Sequence, residues 1–307
     1  MLFRRVMLGI LEHPAARELA RRYGLALGAS RFVAGETMEE ALEAARRLNE
    51  RGFLVTLDYL GEAVREGVRV EEAVATYRAL LSSLSGAGIR GDVSLKLTQL
   101  GLALGLERAE EAVREIASRA REAGTSVWID MESSAYTEGI LEVYRRVRAD
   151  YPETGVALQA YLFRTEADLR SLTGPGVRVR ICKGAYAEPP EVAFQRREEV
   201  EESFRRLLLL HLRAGGYAAV ATHDEDLVRY ALSLFERGEA EGERMEFQML
   251  YGIRPDLQEE LLHRGFRVRI YTPFGREWYL YFARRLAERP ANLAFVLRQL
   301  LREWSGG

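Results

Sequence analysis

The chain has 307 residues, 48% of them hydrophobic and 29% charged, with a formal net charge of −2. That is enough chain to bury one large α/β core, and it carries no excess of positive charge to recruit nucleic acid. A single cysteine, Cys182, excludes an internal disulfide framework and a cysteine-built metal cluster, so no metal site is expected and a reducing cytoplasm is the expected compartment.

Residues 1–50 read as an N-terminal helical segment packed on the rest, with Thr37, Met38, Glu39 and Glu40 forming a capping box. The first residues make a poor signal peptide, and no run approaches the roughly 18 apolar residues of a spanning helix. Residues 51–307 then alternate. Short apolar or β-branched runs occupy 53–60, 92–100, 126–132, 155–163, 176–184, 217–224, 245–252 and 265–275. Amphipathic helical patterns follow them, most clearly over 106–124, 191–216 and 226–238, and Gly124, Gly215 and Gly265 stand where helices are closed by glycine. Several of the runs are almost continuously apolar, as strands covered on both faces must be. Eight such units predict a (βα)8 barrel, α/β in class, with additional N-terminal helices and a further helix after strand eight. A doubly wound open sheet is the alternative. Pro290 can open a last helix reaching about Trp304, whose amphipathic stretch over 292–304 could dock on lipid or on the barrel.

Barrel chemistry gathers at the C-terminal ends of the strands. The sequence sets Asp58 and Glu62 there after strand one, Lys96 on strand two, Asp130 and Glu132 on strand three, and Gln159 on strand four. Arg180 and Lys183 follow on strand five, Thr222 and His223 on strand six, Gln248 on strand seven and Tyr271 on strand eight. Asp58 or Thr222 could instead cap a turn, His223 could be structural, Gln248 could satisfy backbone groups and Cys182 could be an apolar filler. The lysines are more telling, because only two of the 44 basic residues are lysine and both fall in this set. A position that stays Lys in an Arg-dominated chain calls for a compact ammonium that can be desolvated. Past strand eight, Tyr281, Arg284, Arg285 and Glu288 share one helix face, while Tyr279, Phe282 and Leu286 lie on another stripe suited to packing on the body. Two guanidinium forks near Lys96 would suit a carboxylate. A solvated charged helix face is the alternative reading.

The segments "LDYLGEA", "SLKLTQLG", "IDMES", "LQAYLFRT", "VRICKGAY", "ATHD", "FQMLYG", "YTPFG" and "YFARRLAE", in that order between about residues 53 and 292, resemble the proline dehydrogenase family, in particular its single-function bacterial members. The resemblance implies a barrel holding FAD that oxidises L-proline to 1-pyrroline-5-carboxylate and passes electrons to a membrane quinone. A separate pyrroline-5-carboxylate dehydrogenase would take the product, and a peripheral contact with the inner face of the cell membrane would serve the quinone. Residue by residue, it implies that Arg284, Arg285 and Lys96 clamp the carboxylate. Glu62 and Glu288 would hold the arginines, and Asp130 would support Lys96. Tyr271 and Leu250 would pack on the pyrrolidine ring, with Tyr186 and Tyr281 shaping the pocket. Arg180 would lie near the reactive part of the flavin. Gln159, Lys183, Gly184, Thr222, His223 and Gln248 would be further flavin contacts. Ala187 departs from the tryptophan that several relatives carry. Two other classes stay open on the residues alone: a lyase forming a Schiff base on Lys96 or Lys183, and a barrel that binds an acidic ligand without turnover.

Overall fold

A computed structural model describes residues 29–288, the side chains of 286–288 excepted. Eight parallel strands close in sequence order, with β1 hydrogen-bonded to both β2 and β8. They are β1 (Leu54–Tyr59), β2 (Gly91–Leu95), β3 (Val127–Ile129), β4 (Gly155–Gln159), β5 (Arg178–Cys182), β6 (Tyr217–Ala221), β7 (Met245–Leu250) and β8 (Val268–Phe274). The described α-helices are α1 (Met38–Glu50), α2 (Gly67–Gly86), α3 (Leu106–Glu122), α4 (Thr137–Asp150), α5 (Thr165–Leu172), α6 (Arg197–Arg213), α7 (Glu225–Glu236), α8 (Pro255–His263) and α9 (Trp278–Glu288).

Local sequence accounts for these elements. In α3 the buried residues Ala109, Ala112, Val113, Ile116, Ala117 and Ala120 recur at three- and four-residue steps, giving one apolar face. Gly124, Gly215 and Gly265 adopt φ of 70°, 82° and 83° just past helix ends, a backbone region costly for side chains with a Cβ. Thr37 and Glu40 form the expected reciprocal cap of α1. That helix buries Ala41, Ala44, Ala45 and Leu48, and its Asn49 bonds the backbone of Phe53 and Arg90 at the foot of β1 and β2. Residues 1–28 and the predicted helix over 292–304 lie outside the described residues.

Three expectations are corrected. The runs 92–100, 126–132, 155–163, 176–184 and 217–224 are strand only as far as Leu95, Ile129, Gln159, Cys182 and Ala221, so Lys96, Asp130, Glu132, Lys183, Thr222 and His223 lie just past their strands rather than on them. Beyond Leu95 the backbone carbonyl of Lys96 accepts from Gln99 and Leu100, turning the chain outward toward α3. The helix predicted over 191–216 spans only Arg197–Arg213. Its first residues serve a loop instead: Val192 and Ala193 donate to Pro189, while Phe163 and Phe194 bond across to Val192 and Tyr161. Tyr271 sits inside β8 rather than at its end, three residues before Phe274, and Arg180 and Gln248 likewise sit two residues before the ends of β5 and β7.

Strand alternation divides the interior. Val55, Leu57, Val93, Leu95, Val127, Ile129, Val179, Ile181, Val220, Phe247 and Ile270 join the apolar core shared with the helices. The intervening Thr56, Asp58, Asp92, Ser94, Asp130, Arg180, Glu246, Gln248, Arg269 and Tyr271 are linked to one another by ion pairs and hydrogen bonds. The period of two thus gives a dry outer layer and a polar lumen.

Helix α9 is seated by residues distant in sequence. Ala29, Phe32, Val33, Leu60 and Ile253 form one cluster with Trp278, Tyr279, Tyr281 and Phe282. Ala34 N donates to Pro273 O, Gly275 N to Gly35 O, and Trp278 Nε1 to Glu36 Oε1 at 2.8 Å. The chain just before α1 therefore straps the start of α9 to the barrel rim.

Candidate active site

A cavity of about 590 Å³ lies at the C-terminal ends of the strands. Its wall includes Lys96, Asp130, Gln159, Arg180, Lys183, Gly184, Tyr186, Thr222, His223, Gln248, Leu250, Tyr271, Tyr281, Arg284 and Arg285. Fifteen residues singled out from sequence thus meet in one space. Glu62 is not on the wall and reaches it through Arg284. The Glu288 side chain lies outside the described residues.

Lys96 occupies the first turn position after β2 and is 5% exposed. Its Nζ donates to Asp58 Oδ2 at 2.7 Å, Asp130 Oδ2 at 3.1 Å and the Tyr271 hydroxyl at 3.1 Å. Burial alone would pull its pKa down, but Asp58, Tyr271 and Asp130 raise it well above the ordinary lysine range. Lys96 is therefore held as an ammonium, the wrong state for a Schiff-base nucleophile. Asp58 is not a turn cap. It is wholly buried, burial raises its pKa against the opposing pull of Lys96, and its Oδ1 has no hydrogen-bond partner. Asp130 is held below the usual carboxylate range: burial would raise it, but Lys96 and Arg180 prevail.

Arg180 stands next to this group, its guanidinium 4.8 Å from the Trp128 ring centre and 5.4 Å from that of Tyr271. Nη1 donates to Asp130 Oδ1 at 2.6 Å and Ser94 Oγ at 2.9 Å, and Nε to Gln248 Oε1 at 2.5 Å. Its Nη2 is buried without a partner. Gln248 does not serve the backbone: its Nε2 donates to Glu246 Oε1 at 2.5 Å, and Glu246 grips Arg269. Arg269 continues to Asp92 at 3.1 Å. Charges alternate along this column, which is how buried ions are kept tolerable.

Helix α9 supplies the roof. Arg284 Nη2 and Nη1 meet Glu62 Oε1 and Oε2 at 2.5 and 3.1 Å, a two-pronged pairing. The Arg284 guanidinium also lies 5.6 Å from the Tyr186 ring centre. Burial would lower the Arg284 pKa, but Glu62 raises it above the arginine norm. Arg285 is 7% exposed and lies 5.1 Å from the ring centre of Tyr281. The reading of this face as a solvated charged surface is thereby overturned, because both arginines are drawn against the cavity. Tyr281 belongs with Tyr279 and Phe282 in the packed cluster as well as on the wall.

The other end of the cavity is organised by Lys183, whose Nζ meets Asp224 Oδ2 at 2.6 Å and Glu201 Oε1 at 3.1 Å. Arg197 joins both carboxylates. Burial works against ionised Asp224, yet Lys183 and its other partners bring its pKa down to about 2. Gly184, at φ 127°, has no room for a Cβ, which would run into the Tyr161 ring. Gln159 is spanned between Glu132 O at 2.8 Å and Ala185 N at 3.1 Å, fixing the Gly184–Tyr186 segment. Thr222 does act locally, its hydroxyl accepting from Asp224 N at 3.1 Å, and His223 Nε2 accepts from Leu250 N at 2.9 Å. Cys182 donates to Leu158 O, and burial pushes its thiol up to about 12.

Asp224, Glu201 and Arg197 were not singled out from sequence. The Arg197–Glu201 pair stands at the i,i+4 spacing of a helical ion pair, a spacing shared with pairs on solvated helix faces. The sequence puts Glu132 near a strand end and gives it no role. It is 3% exposed, and burial lifts its pKa from 4.5 to about 7 against two hydrogen bonds from Thr98. Because the folded chain binds this proton more tightly than the unfolded one, the carboxyl contributes its full stability below about pH 4.5 and loses it as pH rises through about 7. Relative to Glu132→Gln, which does not titrate, the wild type should therefore lose up to about 3 kcal/mol between about pH 4.5 and 8. Urea unfolding of both proteins across that range measures the difference, and parallel stability curves would contradict the shift.

Comparison with known proteins places the chain in a family. The proline dehydrogenase family profile matches residues 41–298. The chain is 38% identical over 302 residues to Proline dehydrogenase 1 of Bacillus subtilis, covering 98% of this chain and 100% of that protein. It is 39% identical over 314 residues to Proline dehydrogenase of Deinococcus radiodurans, covering 98% of each. In fold it is similar to proline utilization A (PutA) from Bdellovibrio bacteriovorus inactivated by N-propargylglycine, with a TM-score of 0.79 and 23% identity. That match takes in 93% of this chain but only 36% of the larger protein, so it speaks for the barrel alone. Among the described residues no helix is long and apolar enough to cross a membrane. With the family profile spanning the barrel and full-length relatives at this identity, the chain belongs to the proline dehydrogenase family, oxidoreductases that carry out the first step of proline catabolism.

Proposed function

We propose that this barrel oxidises L-proline to 1-pyrroline-5-carboxylate with FAD as its cofactor and a membrane quinone as the final electron acceptor. The observation that carries the reading is the convergence of Lys96, Arg284 and Arg285 on one cavity that also has the hydrocarbon and ring surfaces of Leu250 and Tyr271. Such a wall matches a small molecule with a carboxylate at one end and a saturated ring at the other. The quinone rests on the family resemblance alone, as does transfer of the product to a separate pyrroline-5-carboxylate dehydrogenase.

The residues present fit a flavin. Arg180 Nη2 is a buried donor without an acceptor beside the cavity, and a flat ring edged with carbonyl and nitrogen acceptors would supply one. Gln248 and the Trp128 ring hold that guanidinium in place. Gln159, Gly184, Thr222 and His223 line the adjoining wall, and Lys183 gives a cation at the far end suited to phosphate oxygens. When bound, the flavin supplies an acceptor for a hydride; the protein supplies binding, orientation and electrostatics.

The chain's own residues do the rest. Fixing the carboxylate on Arg284, Arg285 and Lys96 while Leu250 and Tyr271 flank the ring would leave one presentation of the C–H bond to be broken. Imine formation also needs the nitrogen lone pair free. The same cations disfavour a protonated substrate amine, since like charges disfavour the charged form. The rate should therefore rise as pH increases from about 6 to 9, and a flat profile over that range would contradict the argument. The direct test of the proposed reaction is incubation with L-proline and a short-chain quinone, followed by mass spectrometry. A product about two mass units lighter than proline, formed one for one with reduced quinone, is expected; unchanged proline would sink the proposal.

A further inference from the structure

The loop that brings Glu62 to Arg284 is itself held by residues that do not line the cavity. Residues 60–66 between β1 and α2 have no regular structure, and Ala63 adopts a left-handed φ of 55°. A non-glycine residue persists there only where its surroundings impose it. Here one residue, Thr98, holds the loop through both its side chain and its backbone. Ala63 N donates to Thr98 Oγ1 at 3.1 Å, and Val64 N donates to Thr98 O at 3.0 Å. Thr98 is fixed in turn by Glu132, whose Oε1 accepts from Thr98 N at 3.0 Å and whose Oε2 accepts the Thr98 hydroxyl proton. With that proton committed to Glu132, the hydroxyl oxygen has its lone pairs left for Ala63 N. Thr98 and Glu132 are 2% and 3% exposed, so water offers neither an alternative partner.

We propose that Thr98, oriented by Glu132, is a positioning residue for substrate binding: it fixes the strained backbone at Ala63 that sets the Glu62 carboxylate against Arg284. The chain of contact runs from β3 through the turn after β2 to the loop after β1, and from there to α9. It explains why a carboxylate is buried at a strand end with both its oxygens spent on a single threonine. The proposal rests on the reading that Arg284 binds the proline carboxylate.

The experiment is steady-state kinetics with L-proline at about pH 8.5, where Glu132 is ionised, for Thr98→Val, Thr98→Ser and Glu132→Gln, each also made in a Glu62→Gln background. Binding of cyclopentanecarboxylate, with pyrrolidine as the control lacking a carboxylate, is measured alongside. Thr98→Val should raise KM about five- to tenfold, the size expected for one lost buried hydrogen bond, with kcat within about twofold. Glu132→Gln should do the same, since its amide turns a donor toward one of the two Thr98 donors. Thr98→Ser, which keeps the hydroxyl, should restore the wild-type KM. Cyclopentanecarboxylate should weaken in parallel with KM and pyrrolidine should not. In the Glu62→Gln background, Thr98→Val should change KM by less than about twofold, because its route to Arg284 is already cut. A threonine that merely packs the turn would leave KM unchanged, or its effect would multiply in full with that of Glu62→Gln; either result overturns the proposal. Arg284→Ala separates the two levels. If it leaves KM unchanged, the carboxylate reading fails; if it raises KM while Thr98→Val does not, only the positioning role fails.

Discussion

Arg285→Ala and Arg284→Ala should each lower kcat/KM for L-proline by about a hundredfold or more, the loss expected when one partner of a buried charge-assisted pair is removed. Both guanidinia face the same cavity as Lys96, and Arg285 is almost fully enclosed there. Its carboxylate partner would be drawn from water into a space where few other donors are free. Arg284 is the more instructive of the two. Its planar fork is matched to Glu62 through both oxygens, so the group is already oriented before substrate arrives. Arg284→Lys keeps the charge but not the fork, and it should recover less than about a tenth of the lost activity. Steady-state kinetics with the purified variants, with unfolding curves to show that each is folded, provide the check. Near-wild-type turnover by either alanine variant would remove the carboxylate clamp from the account.

Lys96→Met should be more damaging still, because it strikes binding and stability together. Lys96 separates two carboxylates, Asp58 and Asp130, that sit behind it in the lumen. Without the ammonium, two buried acids face each other, and the loss should be about 3–5 kcal/mol of folding stability with a fall in kcat/KM of about a thousandfold. The two effects are separable. Burial already raises the Asp58 pKa, so neutralising it with Asp58→Asn in the Lys96→Met background removes the uncompensated charge. The double variant should regain most of the stability and none of the activity. Chemical denaturation and kinetics on the three proteins test this, and a single variant as stable as the wild type would show that the cluster is not held together by Lys96.

Much of this site was legible in the sequence because a barrel forces its chemistry to strand ends. Lys96, Asp130, Gln159, Lys183, Thr222 and His223 lie at or just beyond strand ends, Arg180, Gln248 and Tyr271 lie two or three residues inside them, and all nine line the cavity. The lysine shortage carried real information, since both lysines meet pairs of carboxylates there. Strand ends were less legible. Hydrophobicity runs on through Leu97 and Leu100 because the turn after β2 is itself buried, so composition does not mark where the ladder stops. The start of α6 was misplaced for a related reason: residues 191–196 have helical character, but their backbone is claimed by the loop after β4. Partnerships were the least legible. Asp58 could have capped a turn, and nothing in one sequence says that it meets Lys96 or that Thr98 would take both oxygens of Glu132. Such pairings depend on which side of each strand faces the lumen and on the register of closure, which are set only when all eight strands meet.

The most direct test of the central claim is the visible absorption spectrum of the purified protein, recorded anaerobically before and after L-proline is added. If Arg284, Arg285 and Lys96 hold the substrate carboxylate, flavin bands should bleach with L-proline and should not bleach with pyrrolidine at the same concentration. A protein without flavin bands that takes up no added FAD, or bands that L-proline leaves untouched, would contradict it.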